Sequence, residues 1–183
     1  MRVLGVTGSP RKEGNTDILV DEVLRGAGDS GAKTEKIFLN DLEIKPCQAE
    51  CSDYCKETGN CKINDDMLPL YDRLYESDVI ILGTPLYWYG PSAQLKAFMD
   101  RWFAFSHPKH IHKVKGKKFV LITPLEESDI SAANPLVGMI AKSLNYLGAE
   151  FHKKLLVSVG EKGAIKQNQK VMNQPFEIGL ELK

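Results

Sequence analysis

The chain has 183 residues, and its 24 lysines and arginines balance its 24 aspartates and glutamates. This balance gives no net attraction to nucleic acid or to an anionic membrane surface, and no apolar run reaches the length of a membrane span. The length favours a single domain over residues 1–183 with a sizeable buried core, and the absence of a cleavable leader at the start leads us to expect a cytoplasmic protein.

The first segment predicts a buried strand, a tight loop and a helix. Val3–Thr7 is largely apolar, Gly8–Thr16 is small and polar, and Asp17–Ala27 is amphipathic. The loop places hydroxyl, guanidinium and amide groups beside a helix N-terminus, where unpaired N–H groups and the helix dipole favour a phosphate. It matches neither G-x-G-x-x-G nor G-x-x-x-x-G-K-S/T, so the phosphate need not belong to a dinucleotide or a nucleoside triphosphate. An ordinary strand-to-helix turn is the alternative.

Strands and helices alternate along the rest of the chain. Strands are predicted at Lys33–Leu39, Asp78–Pro85, Phe119–Thr123 and Leu155–Val159. Helices are predicted from the Asn64–Asp66 cap to Glu76, from Ser92 to Phe103, from Ser131 or Asn134 to Leu147, and from Ala164 onward. Five strands alternating with about five helices imply an α/β fold with a parallel, doubly wound sheet.

Three loops of this predicted sheet converge on one crevice. Ligands of such sheets lie beyond the carboxyl ends of the strands, where the loops 8–16, 85–90 and 123–131 would meet. The second loop offers a proline, aromatic rings and Gly90, which lets the backbone approach a flat ligand closely. A single phosphate and a planar heterocycle describe a mononucleotide, and FMN fits best, with backbone N–H groups of Pro85–Gly90 at its ring edge. Alternatively, the aromatic residues Tyr87–Tyr89 pack the loop or form a subunit contact.

Two motifs carry a resemblance to a known family. The motifs G-S-P-R-x-x-G-N-T and T-P-x-Y-W-Y-G-P are similar to those of the NAD(P)H-dependent FMN reductase-like family of flavodoxin-fold proteins. The cysteine-rich insert at about 40–64, followed by Asn64–Met67, resembles the iron-sulfur flavoprotein branch of that family.

The resemblance implies a flavodoxin-like three-layer fold with a five-stranded parallel sheet of order 2-1-3-4-5, non-covalent FMN, and a homodimer or homotetramer. By the same resemblance, the phosphate is bound by Ser9, Arg11, Asn15 and Thr16. The isoalloxazine ring is held by Pro85, Leu86, Tyr87, Trp88 and Gly90, and Thr123 and its loop also contribute.

Four cysteines form a further candidate site. Cys47, Cys51, Cys55 and Cys61 are spaced C-x3-C-x3-C-x5-C, and four thiolates in a short loop are the ligand set of a cubane 4Fe-4S cluster. The branch that the insert resembles has C-x2-C-x2-C before its fourth cysteine, so this chain has one extra residue in each of the first two gaps. A structural zinc ion is a second interpretation, and reduced thiols without metal, or disulfides formed on purification, are a third.

These features together predict an FMN-dependent oxidoreductase that takes electrons from NAD(P)H or a ferredoxin-like donor. The acceptor would be a quinone, an oxygen species, a flavin or a protein. No catalytic side chain is named, because the flavin carries the chemistry. The alternatives are a non-catalytic flavodoxin-like carrier for electron transfer, and a phosphate- or nucleotide-binding module without a redox role.

Overall fold

A five-stranded parallel sheet organises the structure, a computed structural model that describes residues 1–50 and 52–182. The strands are β1 (Arg2–Thr7), β2 (Lys33–Phe38), β3 (Val79–Gly83), β4 (Lys118–Leu125) and β5 (Glu150–Ser158). Their order is β2-β1-β3-β4-β5, and each neighbouring pair is parallel. The α/β class and the flavodoxin-like strand order predicted from the sequence are therefore confirmed.

Six α-helices of the described residues cover the two faces of this sheet. They are α1 (Asn15–Asp29), α2 (Ser52–Thr58), α3 (Leu68–Glu76), α4 (Ala93–Asp100), α5 (Asn134–Tyr146) and α6 (Gln169–Leu180). Side chains of one strand alternate between faces, so Ile80 and Leu82 pack with α3, α4 and α5, while Val79 and Ile81 pack with α1 and α6. The continuous apolar run of β3 is needed because both of its faces are buried.

Helices α1 and α6 cross at two glycines. A Cβ atom on Gly26 would lie 2.1 Å from the carbonyl oxygen of Phe176, and one on Gly179 would lie 2.1 Å from that of Val23. Both distances are far shorter than any van der Waals contact, so the backbones can approach this closely only without side chains. The crossing fixes α1, whose N-terminal turn follows the loop 8–16, against the C-terminal helix.

Several boundaries differ from the sequence-based expectation. β5 begins at Glu150 rather than Leu155, because its first half is a partly exposed edge whose charged residues hide the strand signal. The insert at 40–64 contains α2, a short helix that the weak periodicity did not predict. The helix expected from Ser92 ends at Asp100 and continues as a 3-10 helix, Arg101–Phe105. Across residues 1–50 and 52–182, none of the helices combines the length and apolar character needed to cross a membrane.

Candidate functional site

A cleft of about 210 Å³ opens at the carboxyl edge of the sheet. Its walls come from the loop 8–16, from the segment after β3, from the end of β4 and from the loop after β5. These strand ends are held in register by backbone hydrogen bonds, in which Thr84 N–H donates to Ile122 (3.0 Å) and Val159 N–H donates to Leu125 (2.8 Å). The cleft therefore lies at the edge where parallel sheets bind ligands.

Gly8 connects the loop 8–16 to the neighbouring strand and helix. The N–H of Gly8 donates to the carbonyl of Gly83 (2.8 Å), and the carbonyl of Gly8 accepts from the hydroxyl of Ser92 (2.6 Å). A Cβ atom on Gly8 would lie 2.8 Å from the Cβ of Leu95. Ser92 also caps α4 by accepting from Leu95 N–H (3.3 Å). This one serine therefore joins the loop 8–16 to the start of α4.

The N-terminus of α1 faces the cleft without a side-chain cap. Its N-cap residue is Gly14, which has no side chain to accept a hydrogen bond from the first turn. The backbone N–H groups of Asn15 and Thr16 have no acceptor among the described residues. The Ser9 hydroxyl accepts from Arg11 N–H (3.2 Å) and the Arg11 guanidinium forms no ion pair in the described part of the chain. Such a set of donors at a helix N-terminus suits a phosphate dianion.

The carboxylate within this turn, Asp17, is paired with a lysine. Asp17 accepts from Glu13 N–H (2.8 Å) and from the Lys36 ammonium (2.9 Å). Burial disfavours the charged form of Lys36, but hydrogen bonds to Asp21 and Asp17 outweigh it and raise the pKa of Lys36. Asp17 therefore stabilises the first turn without leaving an unpaired negative charge beside the anion site.

The aromatic segment forms a tight two-residue turn. Tyr87 N–H donates to the Gly90 carbonyl (3.0 Å), and Gly90 N–H donates to that of Tyr87 (2.9 Å). Trp88 (φ 49°) and Tyr89 (φ 62°) both lie in the left-handed region, as in a type I′ turn. Bulky residues rarely adopt it, and such strain costs about 1–3 kcal/mol per residue. The turn directly follows Pro85–Tyr87, which line the cleft, and strain of this kind clusters at functional sites.

Most backbone N–H groups expected to meet a flavin ring are already used within the protein. Pro85 has no N–H, and Leu86 N–H donates to the Pro124 carbonyl (3.2 Å). Tyr87 and Gly90 bond to each other across the turn. Within the described part of the chain, only the N–H groups of Trp88 and Tyr89 in this segment have no acceptor. The strained residues therefore carry the donors still open to a ligand.

The cleft brings together seven of the ten residues predicted to bind a cofactor. These are Ser9, Arg11, Asn15, Thr16, Pro85, Leu86 and Tyr87. Trp88 and Gly90 do not line the cleft, since the turn projects the Trp88 side chain outward, where it is 97% exposed. Thr123 does not line it either, because β4 continues to Leu125 and buries Thr123 within the strand.

Two segments of the wall were missed or only partly anticipated. Glu126 and Glu127 follow β4, and Val159, Gly160 and Lys162 follow β5. The signal for the second segment was available, because the carboxyl end of β5 must lie at the same edge as that of β4 in a parallel sheet. The prediction includes only the loops that follow the more apolar strands.

The cysteine-rich insert packs into the core on the face of the sheet that α3, α4 and α5 cover. Cys55 and Cys61 are buried in the apolar cluster beneath α3 and α4, and Cys47 is exposed. Cys51 lies outside the described residues. Among the residues described, no three His, Cys, Asp or Glu side chains form a group able to hold a metal ion.

Arg101 closes the insert at both ends. Its guanidinium donates to the Lys45 carbonyl (2.8 Å), before the first cysteine, and to Asp65 (2.7 and 3.1 Å), after the last. Both charged side chains are buried. Burial opposes the charge of Asp65, but hydrogen bonds from Arg101 and from the N–H groups of Lys45 and Met67 hold its pKa below the usual value.

Comparison with known proteins identifies relatives across the chain. The family profile of the NADPH-dependent FMN reductases matches residues 1–174. An iron-sulfur flavoprotein of Methanocaldococcus jannaschii is 50% identical over 101 residues, which are 55% of this chain and 51% of the relative. A putative NAD(P)H-dependent FMN-containing oxidoreductase of Bacillus subtilis is 31% identical over 103 residues, 56% of this chain and 52% of the relative. The chain thus spans about half the length of the curated relatives it matches.

Solved structures share the fold at low sequence identity. An NAD(P)H:quinone oxidoreductase from Methanothermobacter marburgensis superimposes with a TM-score of 0.74 at 15% identity, covering 100% of this chain and 99% of that one. A flavodoxin from the domain Archaea gives a TM-score of 0.60 at 14% identity, with 100% and 96% covered. These likenesses establish the flavodoxin-like fold.

Proposed function

Because this chain belongs to the NADPH-dependent FMN reductase family, we propose that it is a flavin-dependent oxidoreductase that binds FMN in the cleft at the carboxyl edge of the sheet. The observation that carries the proposal is the uncapped N-terminus of α1. Its open N–H groups, with the hydroxyl of Ser9 and the guanidinium of Arg11, form an anion site within the same cleft as Pro85–Tyr87. A phosphate site next to a proline- and tyrosine-lined wall suits a phosphorylated planar ring.

The protein's part in the reaction is to bind, orient and tune the cofactor. Ser9, Arg11 and the N–H groups of Asn15 and Thr16 would hold the phosphate, and Pro85, Leu86 and Tyr87 would contact the ring system. The open N–H groups of Trp88 and Tyr89 are donors available to the polar edge of the ring. FMN, when bound, supplies the chemistry of accepting a hydride and releasing electrons in pairs or singly.

We further propose NAD(P)H or a ferredoxin-like protein as electron donor, and a quinone, an oxygen species, a flavin or a protein as acceptor. Support comes from the relatives, which include a protein named as a putative NAD(P)H-dependent FMN-containing oxidoreductase. A homodimer or homotetramer in the cytoplasm completes the proposal. The exposed aromatic tip at Trp88 and Tyr89, beside the cleft, is consistent with a partner surface there.

Spectroscopy and flavin titration test the proposal directly. Purified protein should show a flavin absorption spectrum, or bind added FMN, and should oxidise NAD(P)H in the presence of an acceptor. Arg11→Ala should weaken FMN retention, whereas Lys12→Ala should not, because Lys12 pairs with Asp41 and does not line the cleft. A colourless protein that fails to bind FMN contradicts the proposal and favours a module without redox function. Bound FMN that a ferredoxin reduces rapidly, without turnover of NAD(P)H, favours an electron carrier.

The iron-sulfur cluster at Cys47, Cys51, Cys55 and Cys61 stays a prediction. Iron-sulfur flavoproteins among the relatives support it, and two of its four thiols, Cys55 and Cys61, are buried in the core. We assign no electron route through it. Iron, zinc and sulfide analysis of anaerobically purified protein, with electron paramagnetic resonance after reduction, distinguishes a cluster, a zinc ion and metal-free thiols. Absence of both iron and a cluster signal would rule the cluster out.

A further inference from the structure

The loop after β5 folds back onto the proposed phosphate site and is held there by Asn15. The Asn15 amide nitrogen donates to the Glu161 carbonyl (2.8 Å), and its side-chain oxygen accepts from Ile165 N–H (3.2 Å). The loop also approaches the backbone of the loop 8–16 at Gly163 (φ 75°), where a Cβ atom would lie 3.7 Å from the Glu13 carbonyl oxygen. The side chain of Asn15 thereby joins two segments of the chain that lie about 150 residues apart in sequence.

Lys162 lies between the two backbone positions that Asn15 holds. It lines the same cleft as Ser9, Arg11 and Thr16, on the side formed by the loop after β5. Within the described part of the chain, no carboxylate pairs with Lys162. Its backbone is therefore fixed by the neighbouring residues while its ammonium group stays available to a ligand.

The charges around the cleft favour a second cation beside the phosphate. A phosphate monoester carries about −1.5 to −2 charges near neutral pH, and Arg11 supplies one positive charge. Glu126 and Glu127 line the same cleft and disfavour an anion through repulsion. A lysine suits the remaining role, because its compact charge on a flexible stem contacts a phosphate without a fixed planar geometry.

We propose that Lys162 is a second phosphate-binding cation for FMN, and that Asn15 is a positioning residue that holds the loop carrying Lys162 over the phosphate site. This inference rests on the proposed function and adds to it. It also gives Asn15 a role that differs from direct side-chain coordination, because both polar atoms of its amide already bond to the loop.

Comparing FMN with riboflavin isolates the phosphate contact. The affinities of wild-type protein and variants for both ligands are measured by titrating flavin fluorescence. Lys162→Ala should weaken FMN binding about fivefold to tenfold, the loss expected for a partly solvated charge-assisted contact, and should leave riboflavin binding unchanged. Lys162→Arg should restore most of the affinity. Lys166→Ala is the matched control, because Lys166 is exposed on the same segment and does not line the cleft.

A double-mutant cycle tests the positioning role of Asn15. Asn15→Ala should also weaken FMN binding selectively, and adding Lys162→Ala should cost less in the Asn15→Ala background than in wild type, because the loop is no longer held. Additive losses would overturn the positioning role. Thermal unfolding of Asn15→Ala without ligand shows whether it folds, and the Lys162 variants decide the cation role on their own.

The outcomes separate the two proposals. If wild type binds FMN and Lys162→Ala binds it within twofold as tightly, or loses FMN and riboflavin affinity equally, Lys162 is not a phosphate ligand and the proposed function stands. If wild type binds neither flavin, both the proposed function and this inference are overturned.

Discussion

Arg101 shows how much of this structure depends on single buried charges. It lies with 2% of its surface exposed and donates to Asp65 and to the Lys45 carbonyl. In sequence it is one arginine in the run Asp100–Trp102, and nothing in the pattern distinguishes it from a solvated charge. Its role follows from tertiary contacts with a segment 36 to 56 residues away, which sequence periodicity cannot reveal.

Removing one partner of this pair should be strongly destabilising. Asp65→Asn is expected to cost about 3–5 kcal/mol, because it leaves the Arg101 charge buried without a counter-charge. Lys96→Ala is the control, since it breaks the exposed Lys96–Asp100 pair, which should contribute about 0.5 kcal/mol or less. Urea unfolding measures both, and similar losses for the two variants would contradict the role assigned to the buried pair.

The same pair predicts a pH dependence. The pKa of Asp65 lies below its ordinary value in the folded protein, whereas in the unfolded chain it returns to about 3.9. Its stabilising contribution is therefore complete above that value and is lost as the pH falls through the lower folded pKa. Wild type should lose more free energy of unfolding between neutral and strongly acidic pH than Asp65→Asn. Parallel pH profiles of the two proteins would disprove this.

At the scale of elements, the sequence predicts what is buried and periodic, and misses what tertiary contacts create. The β3 strand and the alternation of strands and helices along the chain follow from hydrophobic runs. The early start of β5 is missed because Glu150, Lys153 and Lys154 lie on an edge strand, where charged residues are tolerated. The loop 8–16 is predicted by its chemistry. The parallel topology places the loop after β5 at the same edge, but its closeness to the loop 8–16 depends on a contact with Asn15 that the sequence does not reveal.

The crossing of α1 and α6 gives a prediction with an internal control. Gly26→Ala should destabilise the protein by about 1–3 kcal/mol or more, because its methyl group would overlap a backbone carbonyl that cannot move aside. Gly28→Ala, two residues along the same helix, meets nothing within 4 Å and should stabilise by up to about 1 kcal/mol through helix propensity. Thermal unfolding should therefore shift in opposite directions. Equal effects would mean that the helices can separate at little cost.

At the scale of the whole molecule, the cleft collects segments from both ends of the chain. The loop 8–16 lies near the N-terminus, and Lys162 lies close to the C-terminal helix. A ligand that bridges these segments binds only when the sheet, α1 and the loop after β5 are all in place. Binding is therefore coupled to global folding rather than to one element.

FMN should raise the stability of the entire fold. At a free concentration about 100 times its dissociation constant, a ligand specific for the folded state adds about 2.7 kcal/mol. Thermal unfolding with and without FMN measures this, and Arg11→Ala should show a smaller shift at the same concentration. An unchanged midpoint for wild type would show that FMN does not bind the folded protein.

The two tryptophans of the chain differ in their exposure to solvent. Their fluorescence can therefore be separated with a quencher that stays in the solvent. Trp88 is 97% exposed at the tip beside the cleft, whereas Trp102 is 4% exposed in the core. Iodide should quench the emission of Trp88 and spare that of Trp102 until the protein unfolds. In a Trp102→Phe variant, the remaining emission then reports what approaches the tip. Protection from iodide on self-association would identify a subunit contact, and energy transfer to bound flavin would place the ring within reach of that indole.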